Sequence, residues 1–171
     1  MKLQLSTIKV IPRVMEIIKD AQNYLASLKI DQWQDGYPNT TQIELDIKNN
    51  DSYIVLNESN EVIGTTVFTT KKELPYQNID GNWITPKDAK YGVIHRLAVG
   101  DAYRKSGLAK FVFSECENRL KEMNVNSMRI DTHRDNLGMQ HMLKKRGYSY
   151  CGVIILDSGD ERLAYEKLIK N

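Results

Sequence analysis

"YGVIHRLAVGDAYRKSGLAKFVFSECENRLKEM", residues 91–123, changes its hydrophobic period midway. Its first nine residues form an apolar, β-branched run, the strongest strand signal in the chain. From Leu108 onward, Leu108, Phe111, Val112, Cys116, Leu120 and Met123 recur at helical spacing and so share one face. Between strand and helix lies "DAYRKSGLAK", residues 101–110, where Arg104 and Lys105 stand directly before Ser106 and Gly107. A helix start exposes unpaired N–H groups and the positive end of the dipole, so it can hold an anion if backbone can come close. Gly107 permits that approach, and Ala109 is small as well. The amides of Arg104, Lys105, Ser106, Gly107, Leu108 and Ala109 could wrap a pyrophosphate while the two cations add charge. The same letters also suit a plain strand-to-helix turn with solvated cations.

Outward from this stretch the pattern is α/β. Leu3 and Leu5 alternate as a short strand. Val14, Ile17, Ile18, Ala21, Leu25 and Leu28 then recur at helical spacing after Pro12, which suits a first turn. Asn39 with Gln42 resembles a capping pair opening a second helix to about Ile47. "SYIVLNESNEVIGTTVFTT" predicts a hairpin of roughly 53–56 and 62–69. Residues 71–90 contain two prolines and no clear period, and so long a loop is expected to be mobile or to cover a site. Downstream the spacing predicts a strand at "SMRID", a helix from about Asn136 to Lys145, and strands at "YSYCGVIIL" and "ERLAYEKL". Strands and helices alternating this way predict a mixed sheet.

Composition narrows the function. A chain of 171 residues, 41% hydrophobic, is long enough for one core and short for two, so one domain over 1–171 is expected. The 24 Lys+Arg against 22 Asp+Glu are interspersed, so neither nucleic acid nor a membrane surface is expected as a partner. No stretch nears the roughly 18 apolar residues of a membrane span, and the N-terminus lacks an apolar signal core, so a cytoplasmic location is expected. Cys116 and Cys151 lack CxxC spacing and read as reduced thiols. His95, His133 and His141 lack metal-ligand spacing, so no metal is expected. Phosphate loops of the G-x-x-x-x-G-K-[ST] and G-x-G-x-x-G kinds are missing, as is a G-x-S-x-G elbow.

"RKSGLA" resembles the R/Q-x-x-G-x-G/A pyrophosphate loop of the GNAT acetyltransferase superfamily, and "HRLAV" before it looks like that family's fourth strand. "DNLGMQHMLKKRGYSYCG" is similar to the family's N-x-x-A-x-x-x-Y-x-K-x-G-F segment, through Asn136, Met139 for Ala, Leu143 for Tyr, Lys145, Gly147, and Tyr148 for Phe. The resemblance spans about 91–153 closely. It implies a mixed, mainly antiparallel sheet with a splayed central strand pair, flanked by about four helices. It further implies an acetyl-CoA-dependent N-acetyltransferase acting on a small-molecule or peptide amine, and it leaves a homodimer open. A non-catalytic acyl-CoA-binding regulatory module is the alternative.

The resemblance implies that Leu97, Ala98 and Val99 pair with the pantetheine arm through backbone groups, and that residues 104–109 hold the pyrophosphate. It places Asn136 and Met139 beside the pantetheine; Asn136 also reads as a helix N-cap, and Met139 as core that touches the cofactor. A strand N–H near Val99 could stabilise the oxyanion. His95 is the candidate base, since imidazoles ordinarily titrate near neutrality and alternation puts it on the face of Leu97 and Val99; a hydrogen-bonded core histidine is the other reading. Leu143 cannot donate a proton where many relatives carry Tyr, leaving Tyr148, Tyr103 or water as donors. Trp33, Tyr37, Tyr76 and Trp83 lie in the two long loops and either meet the acceptor or close the core, and Asp131 with His133 offers a polar pair or a turn cluster.

Overall fold

A computed structural model describes residues 1–170. In chain order its elements are β1 (Lys2–Leu5), α1 (Ile11–Ser27), α2 (Thr40–Lys48), β2 (Ser52–Leu56), β3 (Val62–Thr69), α3 (Leu74–Gln77), β4 (Asp80–Gly81), β5 (Gly92–Val99), α4 (Leu108–Glu122), β6 (Ser127–Thr132), α5 (Leu137–Lys145), β7 (Ser149–Ile155) and β8 (Glu161–Leu168), with 3₁₀ turns at Ile8–Val10 and Asp101–Tyr103. Two compact units emerge, one from Met1–Phe68 with Ile94–Cys116, the other from Thr69–Val93 with the chain from Glu117 onward. Strand order is β1-β2-β3-β5 in the first and β5-β6-β8-β7-β4 in the second, β5 crossing the boundary at Val93 and Ile94. β1 with β2, β2 with β3, β6 with β8, β8 with β7 and β7 with β4 pair antiparallel. β5 and β6 pair in parallel, at Gly92 with Met128 and Val93 with Arg129. This is the mixed, mostly antiparallel sheet of the expected α/β class. The helices number five among the described residues rather than about four, because Pro75 seeds the single turn of α3 in the long loop. No helix among the described residues is long and apolar enough to cross a membrane.

In the first unit the apolar stripe of α1 decides the packing. Val14, Ile17 and Ile18 are wholly buried and meet Ile43 of α2, Ile54 and Leu56 of β2 and Ala98 of β5. Each such burial stabilises by about 1.5–3 kcal/mol. Asn39 caps α2, its side chain accepting from the Gln42 amide at 3.0 Å. Gln42 does not complete the expected reciprocal pair; its side chain donates to Asp46 instead, 2.9 Å away.

In the second unit the segment read from sequence as a period-free loop is fixed by polar and aromatic ties. Tyr76 and Trp83 stack with centroids 5.7 Å apart, and the Trp83 indole donates to the Tyr76 carbonyl at 2.8 Å. The Arg129 guanidinium lies 4.2 Å from the Trp83 ring centre and 4.0 Å from that of Tyr91. Glu166, 0% exposed, pairs with Arg129 at 3.1 Å and also accepts from the Ile84 and Thr85 amides and the Thr85 and Ser127 hydroxyls. A buried charge is tolerated when its hydrogen bonds are met in this way. β4 closes the segment against β7, where a Cβ built on Gly81 or Gly152 would lie 2.2 Å from a backbone oxygen of the other strand. Only glycine permits that approach.

Candidate active site

The junction between β5 and α4 is built from local hydrogen bonds. The Tyr103 amide donates to Gly100, Arg104 to Asp101 and Ser106 to Tyr103, so two of the six amides expected to face an anion are satisfied within the turn. The amides of Gly107, Leu108 and Ala109 find no acceptor among the described residues, as the first turn of a helix requires. Lys105 at φ 61° and Gly107 at φ 85° curl the backbone in the manner of anion-binding concavities. A Cβ placed on Gly107 would meet nothing within 4 Å, so the space beside Gly107 is open. Leu108 anchors the helix start: it is buried, and a Cβ on Gly64 of β3 would fall 2.9 Å from its side chain.

The two cations differ in what they do. Arg104 lies 4.1 Å from the ring centre of Tyr24 on α1, pairs with Asp101 at 3.0 Å and donates to the Asp20 carbonyl at 3.0 Å. Its charge is engaged with α1, whereas Lys105 is exposed beside Ser106 and Gly107.

Along β5, Ala98 is buried, and Leu97 and Val99 are half-buried. Strict alternation does not run through this strand. Arg96 has φ 50°, a left-handed residue in mid-strand, and His95, Arg96 and Leu97 are half-buried in succession. The expectation that His95 shares a face with Leu97 and Val99 therefore loses its basis, because period two requires extended backbone at every step. Thr66 donates to the His95 carbonyl at 3.2 Å, which ties the strand to β3.

Sequence reasoning missed the group beside His95. Arg96 bonds Asp46 of α2 at 2.8 Å and the Tyr37 hydroxyl at 2.5 Å. Asp46 is 4% exposed, and burial raises its carboxyl above the usual range against the lowering pull of Arg96 and the Gln42 hydrogen bond. The available signal was position: Asp46 falls three residues after Ile43, on the apolar face of α2.

In the second unit Asn136 is the N-cap of α5, accepting from the Met139 amide at 3.1 Å, and Met139 is half-buried. Leu143 is wholly buried. The Tyr148 hydroxyl donates to Glu117 at 3.1 Å, while in the first unit that of Tyr103 donates to Glu61 at 3.4 Å. Asp131 accepts from Tyr76, and His133 Nδ1 accepts from the Asp135 amide. Of the four loop aromatics, Tyr76, Trp83 and Trp33 pack on the cores and Tyr37 meets Arg96. Cys116 and Cys151 are buried and form no disulfide among the described residues. Among the described residues no three His, Cys, Asp or Glu side chains are grouped to hold a metal. His95, Leu97–Val99 and 104–109 thus lie together in the first unit, and Asn136 and Met139 in the second.

The Acetyltransferase (GNAT) family model matches residues 14–148. A GNAT-family acetyltransferase from Streptococcus agalactiae is 31% identical over 99% of this chain and 96% of its own, with a TM-score of 0.87. Two more distant structures share the fold. Ribosomal-protein-alanine N-acetyltransferase from Brucella melitensis is 11% identical over 98% and 99% of the two chains, TM-score 0.66. The GNAT superfamily phosphinothricin acetyltransferase from Sinorhizobium meliloti, in complex with AcCoA, is 12% identical over 98% and 88%, TM-score 0.66. Among curated proteins none matches the chain.

Proposed function

The chain belongs to the GNAT acetyltransferase family, and on that premise we propose that it moves an acetyl group from acetyl-CoA to an amine acceptor by direct attack on the thioester. The observation that carries this reading is the start of α4, where the amides of Gly107, Leu108 and Ala109 are unpartnered and the space beside Gly107 is open. A pyrophosphate supplies the acceptor oxygens those amides lack, and Lys105 adds an exposed positive charge. Acetyl-CoA bound to the S. meliloti relative supports the same donor here.

The backbone of Leu97, Ala98 and Val99 holds the pantetheine arm, and a strand N–H near Val99 faces the developing oxyanion. His95 takes the proton of the acceptor ammonium, freeing the nitrogen lone pair to attack the carbonyl carbon. The new C–N bond forms as the C–S bond breaks, the nitrogen gives up its second proton to solvent water, and the sulfur leaves as thiolate. Leu143 gives it no proton, and Tyr148 and Tyr103 donate to Glu117 and Glu61, so water protonates it. A thiol with pKa about 8.5 leaves as thiolate at pH 7 for only ~2 kcal/mol, which makes a dedicated acid dispensable. In the second unit Asn136 caps α5.

A panel of amines, amino-acid derivatives, polyamines and peptides, each supplied with acetyl-CoA and a thiol-reactive dye, tests the proposal. Release of free CoA thiol dependent on an acceptor is expected. Acetyl-CoA binding without turnover on any member would instead support the non-catalytic acyl-CoA-binding module.

A further inference from the structure

Arg96 adopts a conformation that its residue type disfavours. At φ 50° in the middle of β5 it occupies the left-handed region, where a Cβ crowds the following carbonyl. Such strain persists only where surrounding contacts over-determine it. The guanidinium is held from α2 and the loop before it. Nη2 bonds Asp46 Oδ1 at 2.8 Å, Nη1 bonds the Tyr37 hydroxyl at 2.5 Å, and the guanidinium lies 6.0 Å from the centre of the Tyr37 ring.

The pair is a poor stabiliser in its own right. Asp46 is 4% exposed, and its Oδ2 and the Arg96 Nε are buried without a hydrogen-bond partner. An ion pair out of water repays its desolvation only when the remaining donors and acceptors are met. A strained backbone held by an incompletely satisfied buried ion pair is explained by what it places, and its neighbours in sequence are His95 on one side and Leu97 on the other.

We propose that Arg96, tied to α2 by Asp46 and to the preceding loop by Tyr37, is a positioning residue that holds the left-handed turn of β5 and so sets His95 against the Leu97–Val99 backbone for acyl transfer. This rests on the reading that β5 presents its backbone to acetyl-CoA. The anchor also links strand geometry to the segment 28–39, which carries Tyr37, so an acceptor that displaces Tyr37 would loosen the turn.

Glycine and valine at position 96 separate the roles of backbone and side chain. Both remove the anchor, but glycine accepts positive φ freely and a β-branched residue does not. With an acceptor found in the amine panel, kcat of Arg96→Val is expected roughly tenfold or more below that of Arg96→Gly, with acceptor KM changed much less. Asp46→Asn should lower kcat in the same sense. Acetyl-CoA affinity should fall in Arg96→Val, while affinity for adenosine 3′-phosphate 5′-diphosphate, which lacks the pantetheine arm, stays at the wild-type value. Equal kcat and equal acetyl-CoA affinity in the glycine and valine variants would overturn the proposal. A wild type that turns over no amine strikes at the acetyl-transfer reading alone. The anchor is then decided by the backbone amide resonances of residues 95–98 in Asp46→Asn, which must shift; their staying in place overturns it.

Discussion

Replacing Gly107 with valine tests the phosphate loop, and the structure separates its two expected effects. Gly107 sits at φ 85°, where an L residue costs about 1–2 kcal/mol and a β-branched one lies at the upper end. Nothing lies within 4 Å of the built Cβ, so no clash adds to that cost. For a chain of this size the loss lowers Tm by roughly 2–8 °C. The second effect needs the ligand. A valine side chain over the amides of Gly107, Leu108 and Ala109 displaces a phosphate from at least one of them. A hydrogen bond to a charged acceptor contributes about 1.5–3 kcal/mol, so acetyl-CoA should bind roughly tenfold to a hundredfold more weakly. Gly159 supplies the matched control. It lies between β7 and β8 at φ 88°, again with nothing within 4 Å of its Cβ. Gly159→Val should lose comparable Tm and no affinity. Calorimetric titration with acetyl-CoA beside a thermal melt reads both quantities. A folded Gly107→Val with wild-type affinity, or two variants that lose affinity alike, would refute the loop assignment.

If His95 is the base, His95→Gln should lower kcat/KM by roughly 10²–10⁴ with acetyl-CoA affinity preserved; a lowered Tm with turnover kept would identify a core histidine. Leu143 is wholly buried, so Leu143→Met, nearly equal in volume, should cost under about 1.5 kcal/mol and keep measurable turnover; a well-folded but inactive variant would count against unaided thiolate departure. Burial works to raise the Glu166 carboxyl, but hydrogen bonds from Ser127 and Thr85 and the charge of Arg129 outweigh it and hold it below the ordinary glutamate range. Its stabilising contribution is therefore present above about pH 4.3 and lost as pH falls through the lower folded-state value. Tm of the wild type should drop across that acid window, whereas Glu166→Gln should start lower by several degrees and show a flatter profile; parallel profiles would contradict the assignment.

Periodicity and turn chemistry are local, and what depends on them was legible in the chain. The apolar run 91–99, the stripe from Leu108, the caps at Asn39 and Asn136 and the β7–β8 pair all form where residue spacing requires them. The open amides at the start of α4 were legible for the same reason, since a helix start and a glycine are read from neighbours in sequence. Tertiary structure decided the rest. Arg104 and Lys105 are adjacent and alike in charge, yet Tyr24, 80 residues earlier, draws only Arg104 away. Residues 71–90 have no period because their partners are the buried charges Arg129 and Glu166, which lie on distant strands. Arg96 breaks the alternation of its own strand because Asp46 and Tyr37, some fifty residues away, hold its side chain, and a contact at that separation leaves no periodic trace in either stretch.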